Sequence, residues 1–392
     1  MSQPGAQVAD AIVIGAGILG AAATYELAKA GLSIVLLERG VPNRESSGAT
    51  AGNVHIQGIH TRRPGQAVAA DSSVFLPLQR AASDLWDTLE AELDATLELR
   101  RGGGFMVAET IEEVAELRAK HEMERRFGLA TTFLDGKEVR KELPLLSERI
   151  LAADYCSSDG YANPLLATPA FLAAAVRLQA RIRPFTPVTG IARKHSTYRV
   201  STPSGVWEAP IVVNTAGAWI SQVAHMADIS LDMSPVAIQM HATVRTDPMM
   251  SHVVHHIGVG LSVKQVAAGN ILIGGGWPAH DLNLNGRSAI SLSSMVSNVS
   301  LAQRVLPFLS DLRILRAWTG PLAATPDELP VIGEVPGAPG FLVAGGTYGF
   351  TLAPLWGRVL KDLALGIEPP VDLRQVTVAR LVTGIPEETN AP

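Results

Sequence analysis

The sequence predicts a mixed α/β (α+β) fold in which a parallel sheet flanked by helices is joined to a discontinuous antiparallel sheet. Three observations support this prediction. An apolar run, a glycine-rich turn and a helix-forming stretch open the chain at residues 11–30. Apolar runs that end in glycine recur downstream, at 211–219 and 341–351. Between them, residues 235–277 alternate apolar and polar positions, as antiparallel strands do.

The first unit is a complete strand–turn–helix–strand pattern. Residues 11–14 are apolar and rich in β-branched side chains, which is typical of a buried parallel strand. Residues 21–30 are rich in alanine and favour a helix, and residues 33–37 form a second apolar strand that ends at Glu38. The turn between the first strand and the helix has the spacing G-x-G-x-x-G, with Gly15, Gly17 and Gly20.

This pattern predicts a dinucleotide site. Gly15 permits the tight turn, Gly17 lets a pyrophosphate approach the backbone, and Gly20 lets the helix pack on the strand. The helix N-terminus offers free N–H groups and a partial positive charge to phosphates. Glu38 accepts hydrogen bonds from a ribose diol, although the motif alone does not separate NAD from FAD.

The segment after Glu38 departs from the regular βα repeats of a nicotinamide dehydrogenase. Residues 39–53 form a long stretch of small and polar residues, which we interpret as a loop wrapped around a ligand. The run at 341–351 leads into an apolar helix predicted at residues 351–365, whose positive end would stabilise negative charge nearby.

At this point the sequence resembles the FAD-dependent amine and amino-acid oxidoreductases of the D-amino-acid oxidase type, with glycine and sarcosine oxidases as relatives. The motifs that carry the resemblance run in the family's order from residue 11 to 354 and are GAGILG with Glu38, SSGATAGN, VVNTAGAW, WTGPLAATPDELPVIG and GGTYGFTLAP. The resemblance implies a Rossmann-type FAD-binding domain and a substrate domain built on the antiparallel sheet.

The resemblance also implies which residues hold FAD. The expected set is Gly15, Gly17, Ile18, Leu19, Gly20, Glu38, Arg39, Ser46, Ser47, Thr50, Ala51, Gly52, Asn53, Val188, Thr215, Ala216, Gly217, Trp219, Gly346, Tyr348, Gly349, Phe350 and Thr351. The last five are expected at the pyrimidine edge of the flavin ring. Many family members link the flavin through a cysteine near the WTG segment. Here the only cysteine is Cys156, which we place in a turn before a helix, so we expect non-covalent FAD.

The remaining chain divides between the two predicted domains. Helical periodicity covers residues 79–99, 109–127 and 165–181. We expect the domains to be discontinuous. The FAD-binding domain takes residues 1–75, 151–225 and 316–392, and the substrate domain takes residues 76–150 and 226–315.

The predicted chemistry is oxidation of a C–N bond. In the family that the chain resembles, a hydride passes from the carbon bearing the amine to flavin N5, and the imine is then hydrolysed. Positioning matters more than a strong base in such a reaction. The catalytic candidates are Tyr348 beside the ring-facing turn, His55, Lys264 and Arg316.

Recognition of a substrate carboxylate requires a cation. The glycine-oxidase-like members carry an arginine just after their W-x-G motif, whereas this chain has Leu322 there. This difference argues against simple glycine or D-alanine oxidation. Arg316, Lys264, Arg62 and Arg63 are the candidate replacements, and Lys264 is also a candidate for promoting reaction with oxygen.

The segment NVHIQGIH at residues 53–60 resembles the N-A-G-S-x-H-x-Q segment in the FAD-bearing subunits of heteromeric bacterial opine oxidases or dehydrogenases. His55, Gln57 and His60 are therefore candidates for the pocket wall. His241, His255, His256 and Trp277 are further candidates. No metal is expected at His252, His255 and His256, because no carboxylate or cysteine accompanies them in the sequence.

Composition limits the partners. The 392-residue chain has a net charge of −5 and no basic stripe, so we expect no nucleic-acid partner. No apolar stretch is long enough for a transmembrane helix, and the first residues do not form a signal peptide. We expect a cytoplasmic protein, and a peripheral position on the inner membrane face stays open. One cysteine cannot hold an iron–sulfur cluster, so electrons would leave through partner subunits with further flavin or iron–sulfur centres.

The sequence therefore predicts the catalytic FAD subunit of a heteromeric opine dehydrogenase of D-octopine-like specificity. Two alternatives stay open. One is a stand-alone glycine- or sarcosine-type oxidase that forms hydrogen peroxide. The other is a flavin-carrying assembly subunit without turnover of its own.

Overall fold

The computed structural model describes residues 6–58 and 73–384. Its strands are β1 Gln7–Val8, β2 Ala11–Ile14, β3 Ile34–Leu37, β4 Asn53–Val54, β5 Gly104–Ala108, β6 Thr131–Asp135, β7 Ala152–Cys156, β8 Gly160–Tyr161, β9 Arg181–Arg183, β10 Gly190–Lys194, β11 Thr197–Thr202, β12 Gly205–Ala209, β13 Ile211–Asn214, β14 Ser230–Leu231, β15 Ser234–Arg245, β16 Val253–His256, β17 Ser262–Gln265, β18 Asn270–Gly274, β19 Ile314–Ala324, β20 Val331–Glu334, β21 Phe341–Gly345 and β22 Val382–Gly384.

The α-helices are α1 Ile18–Lys29, α2 Ser46–Ala49, α3 Leu76–Leu93, α4 Ile111–Arg126, α5 Gly136–Glu142, α6 Pro164–Arg177, α7 Ile220–His225, α8 Leu292–Val305 and α9 Gly349–Ala364. Short 3₁₀ helices lie at Ser73–Phe75, Gly217–Trp219, Pro307–Asp311 and Val378–Leu381. None of the helices in the described part of the chain is long and apolar enough to cross a membrane.

The smaller of the two main sheets carries the glycine turns. Its strand order is β20-β21-β13-β2-β3-β9, and β21, β13, β2, β3 and β9 run parallel. The strands β2 and β3 are fully buried because helices and a second sheet cover the two faces, which explains their continuous apolar sequence. The predicted parallel α/β unit is confirmed.

Helices α1, α6 and α9 pack together on one face of this sheet, and α3 lies against α9. The approach of α9 to α1 is close, because a Cβ atom on Gly357 would lie 2.8 Å from the carbonyl oxygen of Ala22. The other face is covered by the sheet β1-β12-β11-β10 and by α7. The glycine turns are therefore held between rigid layers.

The larger sheet has the order β19-β15-β18-β17-β16-β5-β7-β6. Its neighbours pair antiparallel except for β16 and β5, which are parallel. The predicted antiparallel strands at 235–277 are present as β15 to β18. Strands β7 and β19 pair in this larger sheet, whereas β9 pairs in the parallel sheet. The domain limits given above stay predictions.

Three local predictions differ from the structure. The helix predicted at 79–99 ends at Leu93, because Asp94 takes a left-handed conformation with a φ of +49°. The loop at 39–53 contains the short helix α2. Cys156, predicted in a turn, is the last residue of β7 and is buried, since its strand pairs on both sides with β5 and β6.

Candidate functional site

A cavity of about 620 Å³ lies between the two main sheets. At one end it is bordered by the turn at Gly15, by Glu38 and by Val188. At the other end it reaches β15, the start of β17 and the N-terminus of α9. The cavity therefore connects the dinucleotide motif with the antiparallel sheet, which is the arrangement expected for a cofactor and a substrate that must meet.

Most residues predicted to hold FAD line this cavity. The lining includes Gly15, Gly17, Ile18, Leu19, Glu38, Arg39, Ser46, Ser47, Thr50, Ala51, Asn53, Val188, Thr215, Ala216, Gly217, Trp219, Gly346, Tyr348, Gly349, Phe350 and Thr351. Gly20 and Gly52 lie outside it. A Cβ atom on Gly20 would overlap the carbonyl oxygen of Gly15, and one on Gly52 would overlap that of Ala162, so close packing explains both glycines.

The first glycine turn is shaped by contacts that sequence spacing does not reveal. Gly15 has a φ of +100°, and a Cβ there would lie 2.8 Å from the carbonyl oxygen of Thr215. Glu38 Oε2 accepts a hydrogen bond of 2.8 Å from the backbone N–H of Ala16. Ser47 Oγ accepts one of 2.9 Å from the N–H of Ile18. Glu38 and Ser47 thus fix the backbone of the turn.

Two helices begin at this cavity without a capping side chain of their own. The N-cap residue of α1 is Gly17, which has no side chain, and that of α9 is Tyr348, whose side chain accepts no hydrogen bond from the helix. Their N-terminal residues line the cavity at separate places. Two positive helix ends in one cavity favour a ligand with negative charge at two positions.

The loop after Glu38 is anchored to β19. Ser46 Oγ donates to the carbonyl oxygen of Pro321, and the indole Nε1 of Trp318 donates to that of Ala49 at 2.8 Å. The guanidinium group of Arg39 stacks on the indole ring of Trp219 at 3.5 Å. The small-residue loop is therefore an ordered cavity wall joined to the WTG segment.

Aromatic and imidazole rings surround the end of the cavity near α9. The rings of His55 and His255 lie 4.9 Å apart, and the ring of Tyr348 lies 6.4 Å from His55. Phe75 packs behind Tyr348 at 4.8 Å. His55, His255 and Tyr348 all line the cavity. Of the four predicted catalytic residues, this end of the cavity therefore brings together His55 and Tyr348.

Burial keeps the two histidines neutral. Desolvation lowers the pKa of His55 well below 6.5, and the positive charges of His255 and Lys264 would lower it further. Desolvation also lowers the pKa of His255 to about 4. At neutral pH, both rings are therefore uncharged surfaces.

Lys264 lies behind the cavity wall. Its Nζ donates to Asn53 Oδ1 at 2.7 Å and to the carbonyl oxygen of Ala51, and it lies 4.4 Å from the ring centre of Tyr161. The side chain is only 1% exposed, and desolvation lowers its pKa well below 10.5. Through these hydrogen bonds, Lys264 fixes the end of the loop at residues 39–53.

Arg316 is exposed on β19 and is not part of the cavity lining. Arg62, Arg63 and His60 lie outside the described residues. Leu322 lines the cavity, so the position that carries an arginine in glycine-oxidase-like members is apolar here.

The other two candidate histidines, His241 and His256, lie in the protein interior. His256 Nε2 lies 3.1 Å from Glu109, whose carboxylate also pairs with Arg304. His241 lies 3.3 Å from the side-chain amide of Gln239. The indole of Trp277 donates to the carbonyl oxygen of Gly260 at 2.7 Å. Within residues 6–58 and 73–384, no group of His, Cys, Asp and Glu side chains is arranged to hold a metal ion.

Gln57 also faces away from the cavity, into a buried polar cluster. Its side chain donates to Asp159 and to the carbonyl oxygen of Gly104, both at 2.9 Å, and accepts from Lys120 at 3.0 Å. Lys120 pairs with Glu124 at 2.7 Å. Asp159 and Glu124 accept the backbone N–H groups of residues 56–58, so the cluster holds the segment that carries His55.

Sequence reasoning missed an apolar wall of the cavity. Val236, Ile238 and Met240 line it from β15, at alternate positions of the strand. This period of two is the signal that one face of a strand turns toward the same surface. The alternation predicts a strand, but only the assembled sheet shows which surface that face meets.

The residues present fit FAD. The cavity has a glycine turn at one end, and the N-terminus of a helix whose N-cap residue gives no side-chain cap borders it at each of two places. Glu38 and the first turn of α1 would hold the ribose and pyrophosphate, and the first turn of α9 would face the ring. Cys156 does not line the cavity, which supports the prediction of non-covalent FAD.

Comparisons with known proteins agree with this geometry. A family model described as FAD dependent oxidoreductase (DAO) matches residues 10–363. Glycine oxidase from Bacillus subtilis (strain 168) is 26% identical over 362 residues, 92% of this chain and 94% of that protein. One of the subunits of opine oxidase from Rhizobium meliloti is 28% identical over 360 residues, 88% of this chain and 90% of that protein. The structure of glycine oxidase from Geobacillus kaustophilus matches with a TM-score of 0.85 at 25% identity, covering 95% of this chain and 99% of that one.

Proposed function

The chain belongs to the FAD dependent oxidoreductase (DAO) family, and from this membership we propose that it oxidises the C–N bond of a secondary or D-configured amino acid. The predictions of the family, of FAD as cofactor and of an oxidoreductase are confirmed. The proposal rests mainly on one observation. The rings of His55, His255 and Tyr348 lie close together in the cavity wall, at the end where α9 begins.

When bound, FAD supplies the acceptor for the hydride that leaves the substrate carbon. The residues of this chain provide the position and the environment. A buried site with neutral imidazoles disfavours an ammonium ion, so it favours the uncharged amine from which a hydride departs readily. Water then converts the resulting imine into a carbonyl compound and an amine.

The apolar wall of the cavity favours a substrate whose amine nitrogen carries an organic substituent. Leu322 replaces the arginine that would bind the carboxylate of a small amino acid. Together with Val236, Ile238 and Met240, it offers contact area for an organic group on the amine. This composition favours a secondary amine over glycine.

We further propose that the chain is the catalytic FAD subunit of a heteromeric opine dehydrogenase. Support comes from the NVHIQ segment and from the similarity to the Rhizobium meliloti opine oxidase polypeptide over 88% of this chain. A sequence with one cysteine cannot hold an iron–sulfur cluster, so onward electron transfer would use partner subunits.

A second candidate function is a stand-alone oxidase of the glycine or sarcosine type. Its support is the similarity to glycine oxidase over almost the full length of both chains. Such an enzyme would return electrons to oxygen and form hydrogen peroxide.

The test is an anaerobic titration of the FAD-loaded chain, followed by the flavin absorbance near 450 nm. The panel contains octopine, nopaline, sarcosine, proline, glycine and D-amino acids. We expect opines to bleach the band and glycine to leave it unchanged. Bleaching by glycine or sarcosine with rapid recovery in air would instead identify the oxidase. A band that no amine bleaches would identify a flavin carrier without turnover.

A further inference from the structure

His255 lines the cavity and has one ring nitrogen without a hydrogen-bond partner among the described residues. Its Nδ1 lies 3.0 Å from the carbonyl oxygen of Leu261. A carbonyl oxygen only accepts, so Nδ1 carries the proton. In the neutral ring Nε2 is then a lone-pair acceptor. Nε2 is buried and has no hydrogen-bond partner within the described residues, and the side chain is 3% exposed.

Three polar side chains of the same region, those of Thr351, Asn53 and Ser262, already hydrogen-bond within the protein. Thr351 Oγ1 donates to the carbonyl oxygen of Asn53 and accepts from the N–H of His55. Asn53 Oδ1 accepts from Lys264, and Ser262 Oγ accepts from the Asn53 amide. A buried acceptor left without a partner costs free energy, and one that lines a ligand cavity is expected to find its partner in the ligand.

We propose that His255 Nε2 accepts a hydrogen bond from the amine N–H of the substrate and so fixes the orientation of its nitrogen. This inference rests on the proposed function, because it assigns the amine of that substrate to one atom. Nε2 accepts hydrogen bonds and cannot donate one to a carboxylate. It therefore favours binding of the amine group of an amino acid at this position. The ring of His55, 4.9 Å away, then forms the adjacent wall.

Two substitutions separate the two nitrogens of His255. An asparagine places its amide near the Nδ1 position, so His255→Asn keeps a donor for Leu261 and loses the acceptor in the cavity. A glutamine reaches the Nε2 position, so His255→Gln keeps a cavity acceptor and loses the donor to Leu261. A purely structural role predicts that His255→Gln is the more damaging change in every measurement.

The experiment measures ligand binding to the FAD-loaded protein through changes in flavin absorbance. The probes are 2-aminoisobutyrate, which has no hydrogen on its α-carbon to be transferred, and pivalate, in which a methyl group replaces the amine. We expect wild type to prefer 2-aminoisobutyrate. His255→Asn should reduce the ratio of the two dissociation constants at least tenfold, whereas His255→Gln should retain it and lower the melting temperature instead.

An unchanged ratio in His255→Asn would overturn the assignment of His255. Failure of the proposed function itself gives a different result, since no amino acid of the titration panel would then reduce the flavin of the wild-type protein. A wild type that the panel reduces, combined with an unchanged ratio in His255→Asn, refutes only the role of this residue.

Discussion

The histidines of the cavity are uncharged because burial removes water from around them. The same burial couples them to the stability of the chain. The folded pKa of His255 is about 4, below the 6.5 of an unfolded histidine. Between these two pH values the unfolded chain binds more protons than the folded chain. The imidazole therefore lowers stability progressively as the pH falls from 6.5 to 4.

This coupling gives a prediction for His255→Asn. Burial raises the pKa of Glu124 to about 7, so protonation of this carboxyl raises stability as the pH falls from 7 to 4.5. Only the difference in pH dependence between variants therefore isolates the contribution of His255. The free energy of unfolding should fall by about 2 kcal/mol less in His255→Asn than in wild type between pH 7 and 4.5. Urea unfolding at both pH values measures this. The control is His280→Asn, because His280 is exposed. Equal pH dependence in His255→Asn and wild type would contradict the lowered pKa of His255.

At the residue scale, the sequence predicts the two ends of the site and misses its wall. Gly15, Glu38 and the turn at Tyr348 carry spacing constraints that are local, so a motif reveals them. Lys264 is a catalytic candidate from its sequence context, but whether a lysine lies in a cavity or behind its wall depends on strand register. Only the assembled sheet determines that register, and it places Lys264 beneath Ala51.

At the scale of elements, helix α9 is attached to strand β4 through one side chain. Thr351 Oγ1 accepts the N–H of His55 at 3.2 Å and donates to the carbonyl oxygen of Asn53 at 3.1 Å. The carbonyl oxygen of Thr351 also accepts the indole N–H of Trp86 in α3. The helix start that faces the cavity is thus fixed relative to the segment that carries His55.

Thr351→Val should loosen this attachment without changing the volume of the side chain. It leaves a buried N–H and a buried carbonyl without their partner, which costs about 2 kcal/mol or more. We expect a lower melting temperature and weaker retention of FAD during dialysis. Thr351→Ser keeps the hydroxyl and should stay close to wild type. Equal losses in the two variants would mean that methyl packing, not hydrogen bonding, is what matters at this position.

The element predictions fail mainly at ends. Helix α3 is predicted to reach residue 99, because charged and apolar residues continue in a helical pattern, but it stops where Asp94 turns left-handed. Strand β7 escapes prediction, because its pairing with β5 and β6 joins residues far apart in sequence. Local patterns predict that an element exists, whereas long-range pairing decides its limits.

At the scale of the whole molecule, the cavity takes its walls from both main sheets. A ligand that fills it therefore contacts both and binds only when they are assembled. FAD should accordingly raise the unfolding midpoint in proportion to the logarithm of its free concentration. At 100 times its dissociation constant, the stabilisation is about 2.7 kcal/mol.

Thermal unfolding of the flavin-free chain at increasing FAD concentration measures this effect, with NAD at the same concentrations as the control. We expect a rise with FAD and none with NAD, because the loop at residues 39–53 and the turn before α9 extend the cavity beyond a single dinucleotide motif. Equal stabilisation by NAD would contradict this account of the cavity.

The buried end of strand β7 has a practical consequence. Cys156 is the one cysteine of the sequence, it is 2% exposed, and burial raises the pKa of its thiol to about 12. A thiolate is the reactive form, so a chromogenic disulfide reagent can react only after the sheet around Cys156 opens. Cys156 is thus a built-in probe of local unfolding in this chain. The rate of labelling, with and without ligand, reports how often the larger sheet comes apart, and no engineered probe is required.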